Sequence, residues 1–234
     1  MLELQNLSCG YGAFQAVHGL TLSLRPGSIT GLLGANGAGK SSTLMCVAGH
    51  VARHGGQLLF DGEDISALGP NERVRRGIAI SPEGRRLFKD LTVQDNLRVG
   101  GLIQPARFFQ HDLDRVIALF PRLGERLQSL AGNLSGGEQQ MLAIGRALMT
   151  RPRLVMIDEL SLGLMPKVID LCYRALTQLR DEGMTVLLVE QNTERVLKVA
   201  DEVCVLESGR AVWQGSALAA SKDPQLTAAY LGMH

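Results

Sequence analysis

The sequence predicts a single α/β domain with an antiparallel β flap at its start and a helical insertion in its middle. In the last third of the chain, short apolar runs typical of buried strands alternate with segments of helical periodicity. The first quarter contains runs in which apolar and polar residues alternate, as in half-buried strands. Residues from about 88 to 150 have helical spacing. Strands alternating with helices indicate a parallel sheet covered on both faces.

The early elements are expected to be strands around one helix. Leu2, Leu4 and Leu7 are separated by polar residues, and residues 20–24 alternate before a Pro-Gly turn. Residues 29–33 form a short apolar run that fits a buried strand. A helix is expected from about residue 40 to residue 48, with Gly49 as its C-terminal cap. Residues 57–60 followed by Asp61-Gly62 predict a strand that enters a hairpin turn.

The later elements begin with the helical insertion. The helical spacing within it is carried by Leu113, Val116, Ile117 and Phe120. Strands are expected at residues 154–157, 184–189 and 203–206, and a helix is expected at residues 167–181. No internal repeat and no low-complexity linker interrupts this order, which supports one domain.

Composition narrows the possible partners. The 234 residues suffice for a sizeable core, and the net charge is +1. The basic pairs Arg75-Arg76 and Arg85-Arg86 are short and isolated, so we interpret each as a solvated face. Nucleic-acid binders usually show a denser basic stripe, and nucleic acid is therefore not an expected partner.

The cysteines and the apolar runs bear on the compartment. The four cysteines are scattered without a CxxC pair, which favours free thiols in a reducing cytosol. No apolar stretch reaches the roughly 18 residues that a membrane span needs, and the first residues lack the features of a signal peptide. We expect a cytoplasmic protein that would reach a membrane by docking onto another protein.

A glycine-rich segment at residues 34–41, GANGAGKS, matches the pattern GxxxxGK[ST] between a predicted strand and a predicted helix. Glycines allow such a loop to wind around phosphates with its N–H groups pointing inward, and the helix N-terminus adds partial positive charge. Lys40 would neutralise the β- and γ-phosphates, and the Ser41 hydroxyl would bind Mg²⁺. The alternative is a glycine-rich turn without a ligand. The expected nucleotide-binding residues are Gly34, Asn36, Gly37, Ala38, Gly39, Lys40, Ser41 and Ser42.

Two carboxylates follow the apolar run at residues 154–157. Open α/β sheets bind ligands beyond the carboxyl ends of their strands, which is where Asp158 and Glu159 are expected. Asp158 suits the Mg²⁺ shell, and Glu159 suits a general base that polarises the attacking water. An acidic turn is the alternative, although the phosphate loop makes it less favoured.

The segment LSGGEQQ at residues 134–140 opens a predicted helix. Ser135 and Glu138 have the spacing of a capping box. Gly136 and Gly137 would expose backbone N–H groups at the helix N-terminus and form a second anion site. The segment could be a well-capped helix only. A chain with one nucleotide site hardly needs two such helix ends, so we expect this one to complete the site of another copy.

Together, these three motifs resemble the signature of ABC transporter ATPases over residues 2–234. The resemblance implies a RecA-like core with a β-subdomain at residues 1–87 and 151–234, and a helical subdomain at residues 88–150. It also implies a head-to-tail dimer in which Ser135 and Gly137 of one copy meet the γ-phosphate held by Lys40 of the other. Tyr11 would take the place of the aromatic residue that stacks on adenine, unless it is simply a turn residue.

Five stretches resemble the subfamily that imports branched-chain amino acids. They are residues 34–41, 81–86, 161–164, 188–192 and 229–232. Glu83 stands where the wider family has a glutamine that senses Mg²⁺, water and the membrane subunit. Gln191 stands at the position of the switch histidine, although it could merely cap the helix that begins near Asn192. Leu160 departs from the subfamily, where proline normally follows the catalytic glutamate and stiffens the turn.

The resemblance implies ATP and Mg²⁺ as ligands and several protein partners. These are two polytopic permease subunits, a second ABC ATPase and, indirectly, a solute-binding protein, with the chain peripheral on the cytoplasmic side of the inner membrane. Apolar residues in the segment 83–107 predict that it docks the permeases. An importer of urea or short amides remains an alternative. A soluble ABC ATPase acting on DNA or ribosomes is less favoured because sustained heptads and a second cassette are missing, and a P-loop kinase or GTPase has no use for LSGGE.

Overall fold

The computed structural model describes residues 1–223 and residue 226; the predicted subfamily stretch at residues 229–232 lies outside them. The strands, in chain order, are β1 (Leu2–Tyr11), β2 (Phe14–Leu24), β3 (Ile29–Leu33), β4 (Ala52–Phe60), β5 (Glu63–Asp64), β6 (Ile78–Ser81), β7 (Leu154–Asp158), β8 (Thr185–Val189), β9 (Glu202–Glu207) and β10 (Arg210–Ser216). The helices are α1 (Lys40–Val47), α2 (Pro70–Arg75), α3 (Val93–Gly100), α4 (Phe109–Leu119), α5 (Pro121–Gly124), α6 (Gly136–Leu148), α7 (Pro166–Asp181), α8 (Thr193–Val199) and α9 (Ala217–Ser221).

The first part of the chain forms the predicted antiparallel sheet, in the order β2-β1-β4-β5. The hairpin between β4 and β5 turns at Asp61 and Gly62, whose φ angles of 50° and 80° are both left-handed. Two consecutive left-handed residues are the geometry of a type I′ hairpin turn. The hairpin predicted at this position is confirmed.

The second sheet has six strands in the order β10-β9-β3-β8-β7-β6. Its strands are parallel except at one edge, where β10 pairs antiparallel with β9. The apolar runs in the sequence predicted the parallel part of this sheet, but neither β6 nor β10 was predicted. The run in β6 has only four residues, and β10 is mostly exposed and polar, so neither gives a clear apolar pattern.

Apolar residues cover both faces of this sheet, as predicted. In β7, Val155 and Ile157 belong to one apolar cluster, whereas Leu154 and Met156 belong to another. The first cluster includes the residues of the helical insertion, and the second includes the antiparallel sheet and α1. This alternation is the period of two expected for a strand between two layers.

The parallel strands bring several predicted site residues to one edge of the sheet. Asp158 at the end of β7 pairs with Val189 at the end of β8, and β3 lies on the other side of β8. The segments that follow these three strands therefore begin side by side. Within the described residues, no helix is long and apolar enough to cross a membrane.

Candidate nucleotide site

A cavity of about 510 Å³ lies at this edge of the sheet. It is open to solvent, and five segments of the chain contribute to its wall. Its lining residues are Phe14, Ala16, Asn36, Gly37, Gly39, Lys40, Ser41, Ser42, Glu83, Glu159, Leu162 and Gln191. The structure thus brings together most of the predicted phosphate loop with the predicted catalytic pair and Glu83. Gly34, Ala38 and Asp158 are predicted site residues that are not among the lining residues.

The phosphate loop owes its shape to glycines at positions where other residues would fail. Gly39 precedes α1 with a left-handed φ of 100°, and a Cβ at Gly34 would lie 2.3 Å from the carbonyl oxygen of Leu206. Gly37 also has a left-handed φ of 80°, and a Cβ there would meet nothing within 4 Å. The loop therefore keeps open space above Gly37, and its backbone N–H groups and the start of α1 can face an anion.

Lys40 is the first residue of α1 and is only 5% exposed. Its Nζ donates hydrogen bonds to the carbonyl oxygens of Gly34 at 2.8 Å and Ala35 at 3.0 Å. Burial lowers the pKa of Lys40, while the charges of Glu159 and Asp158 oppose the decrease. The ammonium group is thus held beside the loop by carbonyl oxygens, which negatively charged phosphate oxygens could replace at a gain.

Asp158 and Ser41 form a polar pair beneath the cavity. The Ser41 Oγ donates to Asp158 Oδ1 at 3.0 Å, and the Asp158 side chain is buried. Burial raises the pKa of Asp158 to about 6, the bond from Ser41 lowers it, and the charges of Glu159 and Glu83 raise it. A buried carboxylate with acidic neighbours is a site at which a bound cation would balance the negative charge.

The donor set at this position fits Mg²⁺. A hydroxyl and carboxylate oxygens are the hard ligands that this ion prefers, and it usually binds one or two carboxylates together with substrate phosphates and water. Among the described residues, no group of three or more His, Cys, Asp or Glu side chains could hold a metal without such help. Ser41, Asp158 and Glu83 therefore suit an ion that arrives with a nucleotide.

Glu159 follows β7 with a left-handed φ of 50°. Its backbone N–H donates to the carbonyl oxygen of Val189 at 3.0 Å, and its Oε1 accepts a hydrogen bond from Gln191 Nε2 at 2.6 Å. The cap of α8 is Asn192, whose side chain accepts from the N–H of Arg195. The alternative in which Gln191 serves as this cap is therefore wrong, and Gln191 instead lies in the cavity against Glu159.

The residues of the LSGGEQQ segment lie elsewhere. Ser135 caps α6, and the predicted capping box with Glu138 is present. Ser135 lines a separate cavity of about 530 Å³ together with Arg122, Arg126 and Asn133. Gly136 and Gly137 form the first turn of α6, and a Cβ at Gly137 would clash with Val168 at 2.6 Å. Within one chain, this helix end and the phosphate loop belong to different cavities.

Comparison with known proteins decides the family. The family model described as ABC transporter matches residues 17–161, which is more than half of the chain. The chain belongs to the ABC transporter family. Its ATP-binding cassette is 46% identical to the high-affinity branched-chain amino acid transport ATP-binding protein BraG of Pseudomonas aeruginosa, over 99% of this chain and 100% of BraG.

Two further relatives share less of the sequence than BraG does. The cassette is 35% identical to the probable branched-chain amino acid transport ATP-binding protein LivF of Archaeoglobus fulgidus, over 93% of this chain and 92% of that protein. It is 34% identical to the lipopolysaccharide export protein LptB of Escherichia coli, over 99% and 97% of the two chains. A nucleotide-free ATP-binding cassette superposes with a TM-score of 0.87 at 25% identity, covering 97% of each chain. The predicted subfamily resemblance and the α/β cassette fold are confirmed.

The aromatic wall of this cassette differs in one detail from the prediction. Tyr11 is exposed but is not among the residues that line the cavity, whereas Phe14 is. The two residues face each other across the turn between β1 and β2. The sequence prediction named only Tyr11, which precedes Gly12. Phe14 is a second aromatic residue just after the turn, and it is the signal that could have pointed to the same hairpin tip. The role of Tyr11 at adenine stays a prediction, and Phe14 is a second candidate.

The basic pair Arg85-Arg86 is more than the solvated face that the sequence suggested. Both residues have left-handed φ angles, of 63° and 45°. Arg85 donates from Nε to Gln140 Oε1 at 3.2 Å and from Nη1 to Gln139 Oε1 at 3.3 Å. The loop that carries Glu83 is thus tied to the first turns of α6.

Proposed function

We propose that this chain is the ATP-binding and ATP-hydrolysing subunit of an importer of branched-chain amino acids. The observation that carries the proposal is the 46% identity to BraG over essentially the whole of both chains. The cavity supports it independently, because a phosphate loop, a buried lysine and two strand-end carboxylates meet there. These are the parts that hydrolysis of a nucleoside triphosphate requires.

The position of each group in or beside the cavity supports a proposed role for it. The loop N–H groups and Lys40 would bind the phosphates, with Lys40 exchanging its two carbonyl contacts for phosphate oxygens. Glu159 would accept a proton from the attacking water, and Gln191 would orient the Glu159 carboxylate through the bond at 2.6 Å. Ser41, Asp158 and Glu83 would hold Mg²⁺, which when bound neutralises charge on the phosphates.

A second cassette would complete the site. Ser135, Gly136 and Gly137 lie outside the nucleotide cavity of their own chain, although capped helix ends of this type suit a phosphate. Phe14 and Leu162 are large apolar residues that line the open cavity and are 69% and 56% exposed. Exposed apolar residues around an open cavity favour a partner surface over free solvent.

The permease subunits would dock on another surface. A mostly apolar groove of about 570 Å³, here called the docking groove, lies between the core and the helical insertion. It is lined by Met45, His50, Val74, Ala79, Ile80, Pro82, Arg86, Phe88, Val99, Gly100, Ile103, Arg146, Ala147 and Thr150. Part of the lining comes from the segment 83–107 that the sequence predicted as the docking region.

These assignments extend the proposal to the whole transporter. In the proposed division into a core with a β-subdomain (residues 1–87 and 151–234) and a helical subdomain (residues 88–150), the docking groove would lie between the two. Two polytopic permeases at that groove would hold the ATPase pair on the cytoplasmic side of the inner membrane. A solute-binding protein on the opposite side would deliver the amino acid.

Two substitutions test the proposal. Lys40→Ala should abolish tight ATP binding, measured by titration calorimetry. Glu159→Gln should retain ATP binding but lose turnover by roughly a hundredfold or more, because an amide cannot accept the proton. Glu194→Gln changes an exposed glutamate on α8 and serves as the matched control. Cells that carry Glu159→Gln should also lose uptake of labelled leucine but not of labelled urea, and loss of urea uptake instead would assign the other solute.

A further inference from the structure

Glu190 is a buried glutamate to which the proposed function gives no role. It directly follows β8, its side chain is 2% exposed, and it does not line the nucleotide cavity. Glutamates are rarely buried to this extent unless donors meet their charge. The partners of Glu190 therefore indicate what it does.

Both carboxylate oxygens of Glu190 accept hydrogen bonds from Ser161, and the Gln191 backbone N–H is a further donor to this carboxylate. Oε1 accepts from the backbone N–H of Ser161 at 2.8 Å, and Oε2 accepts from the Ser161 Oγ at 2.8 Å. Burial raises the pKa of Glu190, and the bonds from Ser161 oppose the increase. Two short bonds to one residue fix its backbone and its side-chain rotamer together.

The residues on either side of Glu190 hold the same loop. The Val189 carbonyl oxygen accepts from the Glu159 N–H at 3.0 Å, and Gln191 Nε2 donates to Glu159 Oε1 at 2.6 Å. The three consecutive residues Val189, Glu190 and Gln191 thus hold residues 159 and 161 through hydrogen bonds. Glu159 needs such support, because a left-handed conformation costs a non-glycine residue about 1–2 kcal/mol.

Leu160 explains why this support matters here. A proline at that position, as in the subfamily that the sequence resembles, would restrict the turn covalently by fixing φ. Leu160 lacks this restriction and is fully buried. We infer that Glu190 is a positioning residue for ATP hydrolysis, whose two hydrogen bonds to Ser161 hold residues 159–162 so that Glu159 and Leu162 face the cavity. The inference rests on the proposed role of Glu159.

The test compares two replacements of Glu190 in the assembled transporter. Glu190→Ala removes both bonds and should lower kcat about tenfold, the scale of one lost hydrogen bond to a charged group, while KM for ATP changes less than about twofold. Glu190→Gln should stay within about threefold of wild type, since its amide oxygen can accept from the Ser161 N–H and its NH₂ can donate to the hydroxyl. A group that merely stabilised the fold would not split kcat from KM in this way.

Two further variants probe the loop itself. Ser161→Ala removes only the hydroxyl bond and should lower kcat by about two- to threefold, with no added effect in the Glu190→Ala background. Leu160→Pro should restore at least part of the turnover that Glu190→Ala loses, because it supplies the missing φ restriction. The same substitution should have little effect on kcat in the wild-type background.

Several results would overturn the inference. Wild-type kcat in Glu190→Ala is one, and a kcat in Glu190→Gln as low as in Glu190→Ala is another, since the charge and not the contacts would then matter. If Glu190→Ala does not fold, full turnover in Ser161→Ala overturns it. Glu159→Gln measured in parallel separates the two proposals, because undiminished turnover there removes Glu159 from its role whatever Glu190 does.

Discussion

At the scale of single residues, the nucleotide site carries unbalanced negative charge. Asp158, Glu159 and Glu190 lie at neighbouring strand ends, and the buried cation beside them is Lys40. Burial raises the pKa of Asp158 and of Glu190, and burial lowers that of Lys40. Groups held in their less favoured environment reduce the stability of the free protein, and a bound ligand can recover that cost.

Asp158→Asn should therefore stabilise the protein in the absence of Mg²⁺ and nucleotide. The pKa of Asp158 is about 6 in the folded chain against an ordinary value of 3.8, so the folded chain holds this proton more tightly. That stabilising contribution is complete below about pH 4 and is lost as the pH rises through about 6. At pH 8 the variant, which carries no charge, should gain about 1–3 kcal/mol.

Thermal unfolding in EDTA at pH 5 and pH 8 measures this effect. The difference in Tm between Asp158→Asn and wild type should be largest at pH 8 and roughly half as large at pH 5, because the unfolded carboxyl is already ionised at pH 5. Asp90→Asn changes an exposed aspartate and should give the same small difference at both values. A Tm gain for Asp158→Asn that does not depend on pH would contradict the explanation.

Gln191 provides a second residue-scale prediction. Its amide donates to Glu159 and cannot titrate, so it can orient the carboxylate without relaying a proton. Gln191→Ala should slow hydrolysis by roughly ten- to a hundredfold. Gln191→His should remain active and acquire pH dependence between about 6 and 7, where histidine titrates. Full activity of Gln191→Ala with permease present would show that the contact is dispensable.

At the scale of elements, the loop between β6 and α3 connects three functional regions. Glu83 lines the nucleotide cavity, Arg85 bonds to α6, and Phe88 lines the docking groove. Arg146, a partly buried residue of α6, donates to the Arg85 carbonyl oxygen at 3.1 Å and lies over the Phe88 ring at 5.5 Å from its centroid. A movement of Phe88 in the docking groove would therefore affect both the wall of the nucleotide cavity at Glu83 and the start of α6.

Cysteine crosslinking tests the docking groove. Lys89→Cys and Asp90→Cys place exposed thiols next to Phe88, and both should crosslink to a cytoplasmic loop of the permease. The four native cysteines are free and buried, which keeps the background low. Asp181→Cys, an exposed position at the end of α7, is the control that should not react. A scan across residues 83–107 without any crosslink would place the permease elsewhere.

Most helices and strands could be predicted from the sequence, but few of the side-chain contacts between them could be. Strands β3, β7 and β8 were predictable because their apolar runs end at glycine or acidic residues, which also located Lys40, Asp158 and Glu159. The loop at Arg85 was not predictable, since its bonds to Gln139 and Gln140 join residues more than 50 positions apart. The Glu190–Ser161 contact was missed for the same reason, because only the fold brings its two segments together.

At the scale of the whole molecule, we propose that the chain presents half of each of two sites. A second copy, or a related cassette, should place its Ser135 against the γ-phosphate bound by the first. In the Glu159→Gln background, where ATP persists, size-exclusion chromatography should show a dimer with ATP. Adding Ser135→Arg should spare ATP binding by the monomer yet abolish that dimer, because a long charged side chain would fill the phosphate position. An unchanged dimer peak would refute this arrangement. Ser135→Ala is the control, with a modest loss of the helix cap worth about 1 kcal/mol.

Ser135 and Lys40 lie in different cavities of one chain, and this separation also has a consequence for how much ATP the cell consumes. Subunits synthesised in excess over the permeases, and too dilute to pair with one another, would each carry a bound nucleotide without the group that completes its site. Such surplus copies would consume amino acids for their synthesis but would hydrolyse little ATP afterwards. Expression of the cassette would not need to match that of its partners closely, since a copy without a partner stays idle.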